Sequence, residues 1–203
     1  MEQLNIFGDA AQIVALPPDL MEYYPGTFGR QDSFSLMREF IDSVPWQQRT
    51  ITMYGKLMIT PRLTAWYGDA GTAYTFSGTK FDPLPWTDKL QQMRETVQAI
   101  AGITFNSVLL NYYRDGNDSV AWHSDDEYEL GIKPVIASVS LGQVRRFDVR
   151  RKTDHQDKYS VNLENGSLLL MKGDMQHNWE HRISKSTKSL KERINLTFRI
   201  INN

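Results

Sequence analysis

The chain has 203 residues, of which 40% are hydrophobic, and its 23 Lys and Arg nearly balance its 24 Asp and Glu, giving a formal net charge of −1. These values are typical of one globular domain and exclude a uniformly basic nucleic-acid-binding polymer, although a local basic surface is compatible with them. Because the chain contains no cysteine, disulfides, thiolate metal ligands and a cysteine nucleophile are excluded, and any metal must be held by histidine and carboxylate.

The sequence contains no membrane or export signal that we recognise. No segment approaches the roughly 18 apolar residues that a membrane-spanning helix needs, and the first residues lack the cationic start and apolar run of a secretion signal. We therefore expect a protein without a membrane partner, cytoplasmic in a bacterium or nuclear in a eukaryote, and we expect it to be a monomer.

The first 45 residues are predicted to form an N-terminal arm. Residues 1–30 contain the chain breakers Pro17-Pro18 and Pro25-Gly26 and are expected to be irregular. Residues 34–41 have the pattern of a short amphipathic helix that ends before Pro45. We assign residues 1–45 to the arm and residues 46–203 to the main domain.

A second helix is predicted over residues 87–100. Leu90, Met93, Val97 and Ile100 recur at three-to-four spacing, and Thr87 is suited to cap the helix N-terminus.

The second half of the chain reads mainly as strands. Short β-rich runs are separated by turn signals such as Asp115-Gly116 and Asn165-Gly166, and they cover residues 107–113, 135–141, 146–150, 159–163, 167–171 and 194–201. Several short strands in succession favour a double sheet or jelly roll. We therefore expect a mainly β protein with flanking helices.

A candidate metal site is visible in the histidine and aspartate spacing. In His123-Ser124-Asp125, residues i and i+2 of an extended segment point to one face, so the imidazole and the carboxylate can share one metal. His181 is a candidate third ligand, and two His with one carboxylate form the facial triad of non-haem iron(II) oxygenases. His177 is an alternative third ligand, whereas His155 lies in a polar stretch and is expected to be a loop residue.

The last predicted strand alternates strictly in character. Its odd positions are polar and its even positions are apolar, in the order Arg193, Ile194, Asn195, Leu196, Thr197, Phe198, Arg199 and Ile200. The polar face could be solvated on an edge strand. Alternatively it lies inside a barrel, where the two guanidiniums could bind a dicarboxylate through paired hydrogen bonds.

These motifs together resemble those of a known family. The pattern of His123-x-Asp125, His181 and Arg193-x-Asn195-Leu196-Thr197-Phe198-Arg199 is similar to the AlkB family of iron(II)- and 2-oxoglutarate-dependent nucleic-acid dealkylating dioxygenases. Further segments resemble its human-type DNA and RNA repair branch, namely residues 61–69, 74–78, 111–116 and 123–127. The resemblance covers about residues 50–201. Tyr112 departs from the pattern, since the family usually has a positively charged or small residue there, and we expect it to point away from the site.

The resemblance implies a fold and a set of site residues. The fold is a double-stranded β-helix, or jelly roll, with an N-terminal lid of helices and nucleotide-recognition hairpins at about residues 50–80. The iron ligands would be His123, Asp125 and His181. The residues that would bind 2-oxoglutarate are Asn111, Tyr113, Arg193, Asn195, Thr197 and Arg199, with Arg193 on the distal carboxylate.

The resemblance also implies a surface for nucleic acid. Phe76 would stack on the everted base, and the residues expected to contact the substrate are Tyr54, Gly55, Lys56, Arg62, Tyr74, Thr75, Phe76, Ser77, Asp126 and Glu127. Residues 53–56 resemble a hairpin that probes duplex DNA, in which Tyr54 could fill the gap left by the everted base. A core tyrosine on a strand is the alternative interpretation of Tyr54.

The implied activity is oxidative demethylation of bases in DNA. The co-substrates would be 2-oxoglutarate and O2, the cofactor Fe(II), and the products formaldehyde and the restored base. Bases of the 1-methyladenine and 3-methylcytosine type are cationic at neutral pH, so a stacked aromatic ring and nearby carboxylates favour them. The partner would be alkylated DNA, single- or double-stranded. The alternatives are the same chemistry on RNA, or a metal-binding cupin-like module without oxygenase activity.

Overall fold

The computed structural model describes residues 16–53, 56–72, 74–76 and 79–202. Its strands are β1 (Met21–Tyr24), β2 (Gln47–Met53), β3 (Lys56–Gly68), β4 (Tyr74–Phe76), β5 (Thr79–Phe81), β6 (Ser107–Tyr113), β7 (Val120–His123), β8 (Ile136–Gly142), β9 (Arg145–Arg151), β10 (Lys158–Leu163), β11 (Ser167–Met171), β12 (Trp179–Ile183) and β13 (Arg193–Arg199). Its helices are α1 (Arg30–Ser43), α2 (Asp88–Ala101) and α3 (Met175–Asn178). This is the mainly β architecture with flanking helices that the sequence predicts.

The strands form two antiparallel sheets and a separate hairpin. The large sheet has seven strands in the order β1-β11-β8-β13-β6-β3-β2, and the small sheet has four in the order β10-β9-β12-β7. Strands β4 and β5 pair only with each other within the described residues. Two antiparallel sheets with crossing connections are the arrangement expected for a jelly roll.

The two long helices form from amphipathic segments and cover the outer face of the large sheet. In α2, the Thr87 hydroxyl accepts a hydrogen bond from the Leu90 backbone N–H at 3.3 Å, which caps the helix where the sequence predicts. The buried stripe of α2 consists of Leu90, Met93 and Val97. These residues share one hydrophobic core with Val108, Leu110, Ile194, Leu196 and Phe198 of the large sheet.

The inner face of the large sheet packs towards the small sheet through a second core. That core includes Trp66, Tyr113, Leu169, Phe147 and Trp179. Strand β13 contributes to both sides, because its even residues face the helices and its odd residues face inward. All seven of its residues are buried. The interpretation of β13 as a solvated edge strand is therefore wrong, since it lies between β8 and β6 near the middle of the sheet.

Two parts of the chain differ from the sequence expectations. Residues 21–24 are not irregular, because strand β1 pairs with β11 along the edge of the large sheet. Helix α1 begins at Arg30 and ends at Ser43, so it is longer than predicted at both ends. The boundary at residue 45 stays a prediction, although Met37 and Phe40 of α1 pack into the same core as the large sheet.

Strands β2 and β3 form a long hairpin in the region where the sequence predicts hairpins. Met53 pairs with Lys56 at its tip, and Gln47 pairs with Thr64 near its base. Strand β3 also pairs with β6, so one strand joins the hairpin to the centre of the sheet.

No described helix has the length and apolar character needed to cross a membrane.

Candidate metal centre

Two histidines meet across neighbouring strands of the small sheet. His123 ends β7 and is paired in register with His181 of β12, and their ring centroids lie 4.3 Å apart. Asp125 follows β7 by two residues. The structure brings one ligand atom from each of His123, Asp125 and His181 within 4.8 Å of one another, which suits a single metal ion.

Neighbouring groups hold these three residues in place. The Nδ1 atom of His123 lies 2.9 Å from the Ala121 carbonyl oxygen, and the tautomer that donates this bond leaves Nε2 free to bind a metal. The Asp125 backbone N–H donates to Gln176 Oε1 at 3.0 Å. The Ser124 hydroxyl donates to the Trp179 carbonyl oxygen at 2.8 Å, which fixes the segment between the two ligands.

The charges of the cluster suit a divalent cation. Burial raises the pKa of Asp125, but the nearby Arg199 guanidinium and the two imidazoles outweigh it and bring that pKa down to about 2. Burial, followed by the proximity of His123, lowers the pKa of His181 to about 3. Asp125 is therefore an anion and His181 is neutral at physiological pH, and these are the protonation states that bind metal. Nδ1 of His181 is also buried without a hydrogen-bond partner among the described residues.

The other two histidines lie outside this cluster. His177 is on the short helix α3 and is exposed. His155 is also exposed, and its Nε2 atom lies 3.8 Å from Glu180 Oε1. The geometry thus favours His181 over His177 as the third ligand.

The polar residues of β13 form a buried layer beside the cluster. Arg199 Nη2 donates to Asp125 Oδ1 at 2.8 Å, so this arginine contacts a predicted metal ligand directly. Asn195 donates to the Ser138 hydroxyl at 2.7 Å and to the Val139 carbonyl oxygen at 3.0 Å, and it accepts from Thr197 at 3.0 Å. Both amide hydrogens of Asn195 are thus donated to groups within the protein. Asn195 and Thr197 therefore stabilise the polar layer through internal hydrogen bonds.

Arg193 is a buried arginine of this layer, and only part of its guanidinium is hydrogen-bonded. Its side chain is 1% exposed, and Nη2 donates to the Ser140 hydroxyl at 2.9 Å. Nε and Nη1 are buried without hydrogen-bond partners among the described residues, and no described acidic group forms an ion pair with Arg193. Burial lowers the pKa of Arg193 to about 10. A buried cation with unmet donors fits a carboxylate ligand, such as the distal carboxylate of the predicted 2-oxoglutarate.

Strand β6 brings two more predicted residues to the same face. Asn111 is opposite Asn195 and Tyr113 is opposite Arg193 in the β6–β13 pairing. The Arg193 guanidinium carbon lies 5.0 Å from the centre of the Tyr113 ring. Tyr112 points the other way, into the core under the helices, as expected, and its hydroxyl donates to Glu192 at 2.7 Å.

Only some of the residues predicted to contact nucleic acid lie in the described part of the chain. Asp126 is exposed, and its Oδ2 atom accepts from Lys152 Nζ at 3.1 Å, while Glu127 is half-buried. Arg62 contacts Asn111. Tyr54, Gly55 and Ser77 lie outside the described residues, and so do the side chains of Lys56, Tyr74, Thr75 and Phe76, so their roles stay predictions.

Several supporting residues were missed by sequence reasoning. Gln176, Lys152 and the serine pair Ser138 and Ser140 each contact a predicted site residue. The serines had a usable signal, because they alternate with apolar residues in β8 and therefore lie on one face. Gln176 and Lys152 had none, since each reaches its partner only through the tertiary fold.

Comparison with known proteins places the chain among oxygenases. Residues 20–199 match the family model described as the 2OG-Fe(II) oxygenase superfamily. The chain is 39% identical to rat (Rattus norvegicus) alpha-ketoglutarate-dependent dioxygenase alkB homolog 3 over 187 residues, which cover 88% of this chain and 63% of that protein. It is 38% identical to human (Homo sapiens) DNA oxidative demethylase ALKBH2, with coverage of 88% of this chain and 72% of that protein.

The fold is also similar to a solved structure. The structure of OsALKBH1 aligns with a TM-score of 0.62 at 19% identity, covering 91% of this chain and 99% of that one. At this identity the likeness bears on the fold, and it agrees with the predicted jelly roll. The chain spans somewhat less than two thirds of the length of the alkB homolog 3 relatives.

Proposed function

This chain belongs to the AlkB-like branch of the 2OG-Fe(II) oxygenase superfamily, and from that premise we propose that it demethylates N-alkylated bases in DNA by oxidation. The proposed co-substrates are 2-oxoglutarate and O2, and the proposed cofactor is Fe(II). The relative named DNA oxidative demethylase ALKBH2 supports DNA as the substrate class.

The observation that carries the proposal is the buried Arg193 on β13, the strand whose Arg199 contacts the three-ligand cluster. Metal binding alone needs only His123, Asp125 and His181. A cupin-like module that merely bound a metal would gain nothing from a buried guanidinium with two unpaired nitrogens, because such a group is costly until an anion reaches it. A dicarboxylate co-substrate with one end near the metal and the other at Arg193 accounts for both features.

The overall reaction balances without any further reactant. One oxygen atom of O2 enters succinate as 2-oxoglutarate loses CO2, and the other enters the N-methyl group to give an N-hydroxymethyl group. The C–N bond then breaks with its electron pair returning to the ring nitrogen, so that formaldehyde and the neutral base are released and the hydroxyl proton goes to solvent. Iron, when bound, supplies the redox chemistry by which the two oxygen atoms are transferred.

The protein's own residues would hold and orient the reactants. His123, Asp125 and His181 would hold the metal, and Arg199 would keep Asp125 charged and correctly turned through its 2.8 Å contact. Arg193 would hold the distal carboxylate, which leaves the other end of 2-oxoglutarate near the metal. These contacts fix geometry before the base arrives, which is the main contribution that a protein makes to cofactor chemistry.

The acidic residues after Asp125 support a cationic base as substrate. Asp126 is exposed, and the nearby Lys152 partly balances its negative charge. Glu127 is half-buried, so its carboxylate lies further from solvent than that of Asp126. A base methylated on a ring nitrogen is cationic and gains from a nearby carboxylate, whereas the unmethylated base does not. We therefore place the methylated base at Glu127, with Phe76 as its stacking partner.

The test is a direct assay of repair. Iron-loaded protein is incubated with 2-oxoglutarate and an oligonucleotide that carries one 1-methyladenine, and the products are measured by mass spectrometry together with formaldehyde. We expect restored adenine and formaldehyde in equal amounts, no product from an Asp125→Ala variant, and none without 2-oxoglutarate. Succinate formation without any change in the oligonucleotide would contradict the proposed substrate. Parallel DNA and RNA oligonucleotides of one sequence decide between the two polymers.

A further inference from the structure

Arg62 makes its strongest contact inside the protein, away from the hairpin tip. Its Nε donates to Asn111 Oδ1 at 2.7 Å, and its Nη1 donates to the Ser119 carbonyl oxygen at 3.3 Å. Arg62 lies on β3, whose neighbour in the sheet is β6, the strand that carries Asn111. The family resemblance implies that Arg62 contacts the substrate, whereas the structure shows it bonded to Asn111, a predicted 2-oxoglutarate contact.

This contact determines which end of the Asn111 amide faces the site. A guanidinium can only donate hydrogen bonds, so the atom it contacts must be the amide oxygen, and the NH2 group of Asn111 is left for other partners. Carboxylate and keto oxygens accept hydrogen bonds only. Without such an anchor, the side-chain amide of a buried asparagine could flip by 180° and present its oxygen to 2-oxoglutarate. The two oxygen acceptors would then repel each other.

We infer that Arg62 is a positioning residue for 2-oxoglutarate, which acts by fixing the donor end of Asn111 towards the co-substrate. The inference rests on the proposed function, because it requires that 2-oxoglutarate binds beside Asn111. Arg62 then contributes to co-substrate affinity without touching the co-substrate.

The experiment is a calorimetric titration of Mn(II)-loaded protein with 2-oxoglutarate in the absence of nucleic acid. Mn(II) allows binding without turnover, so the readout is an equilibrium affinity. Arg62→Gln should weaken binding roughly three- to tenfold, because one hydrogen bond is lost and the amide gains freedom to turn. Arg62→Lys should recover part of the affinity, since its ammonium can still donate to Asn111.

A double-mutant cycle separates positioning from general damage to the fold. In an Asn111→Ala background, Arg62→Gln should cause no further loss of 2-oxoglutarate affinity, because the group it positions is gone. The matched control is Arg94→Gln on helix α2, where Nη1 donates to Asp69 Oδ1 at 3.1 Å. This control should bind 2-oxoglutarate like the wild type.

Each contrary outcome has a distinct meaning. Wild-type affinity in Arg62→Gln, together with weaker binding of an oligonucleotide, would overturn the inference and make Arg62 a nucleic-acid contact. Additive losses in the cycle would show that Arg62 acts independently of Asn111 and would also overturn it. Failure of the wild-type protein itself to bind 2-oxoglutarate would contradict the proposed function, which the wild-type titration reveals before any variant is compared.

Discussion

Replacing Arg193 by methionine is expected to stabilise the ligand-free protein and to remove its response to 2-oxoglutarate. Methionine has a similar length and fills irregular space, but it carries no charge. In the ligand-free protein the Arg193 guanidinium is 1% exposed, with Nε and Nη1 unpaired among the described residues. The buried guanidinium of Arg193 therefore lowers the stability of the ligand-free protein, and the same guanidinium favours the binding of an anion.

The size of the stability effect follows from the burial of the charge. Burial lowers the pKa of Arg193 from 12.5 to about 10, and at about 1.4 kcal/mol for each pKa unit the charged form costs about 3 kcal/mol. Loss of the hydrogen bond to Ser140 offsets about 1 kcal/mol of that gain. A net gain of about 2 kcal/mol raises the melting temperature of a chain of this length by roughly 4–8 °C.

The size of the binding effect follows from the loss of a buried charge pair. Removing one partner of such a pair costs roughly 2–5 kcal/mol, which weakens 2-oxoglutarate binding by roughly 30- to 4,000-fold. At a 2-oxoglutarate concentration about 100 times its dissociation constant, the wild-type protein gains about 2.7 kcal/mol of stability. The Arg193→Met variant should gain at most about 1 kcal/mol under the same conditions.

The assay is thermal unfolding of the Mn(II)-loaded protein with and without 2-oxoglutarate. The control is Arg146→Met, an arginine whose side chain is 67% exposed and whose substitution should neither raise the melting temperature nor alter the 2-oxoglutarate response. A lower melting temperature for ligand-free Arg193→Met combined with an undiminished 2-oxoglutarate response would refute both parts of the reasoning.

Three further predictions concern the ligands, pH and substrate strands. His181→Ala should abolish Mn(II) binding measured by calorimetry, whereas His177→Ala should keep it within about twofold, and the reverse result would reassign the third ligand. Because the pKa of His181 is lowered to about 3 in the native state from 6.5, the unfolded chain binds the extra proton, and the metal-free protein should lose about 2 kcal/mol between about pH 8 and pH 5. Denaturant unfolding at each pH should show that His181→Leu flattens this slope. Tyr54→Ala should slow repair in duplex DNA more than in single strands, whereas Phe76→Ala should slow both, as measured by the ratio of the two rates at one salt concentration.

Periodicity made the central strand and the metal residues predictable. The alternation from Arg193 to Arg199 places four polar side chains on one face whatever the surroundings, because the strand period is two. His123 and Asp125 follow the same rule at the end of β7. What the alternation alone left open was whether that face met solvent or a second sheet, and the family resemblance supplied the interior interpretation that the structure shows.

Short segments and distant contacts could not be predicted in the same way. Strand β1 has four residues between proline and glycine breakers, which is too few to show a period, and its strand character comes from pairing with β11. The contact between Arg62 and Asn111 joins residues 49 positions apart. Such a contact depends on which strands become neighbours, and local sequence does not encode that choice.

The large sheet divides stability and binding between its two faces. On the helix side, Ile194, Leu196 and Phe198 are fully buried and contribute the favourable burial of apolar surface. On the inner side, the buried guanidinium of Arg193 is unfavourable without an anionic ligand. Because successive residues alternate between these faces, a slip of one residue in the pairing of β13 with β8 and β6 would bury charges under the helices and expose apolar groups to the metal centre. The hydrophobic core therefore fixes the register that positions Arg193 and Arg199, so the residues that stabilise the sheet also determine where its binding groups lie.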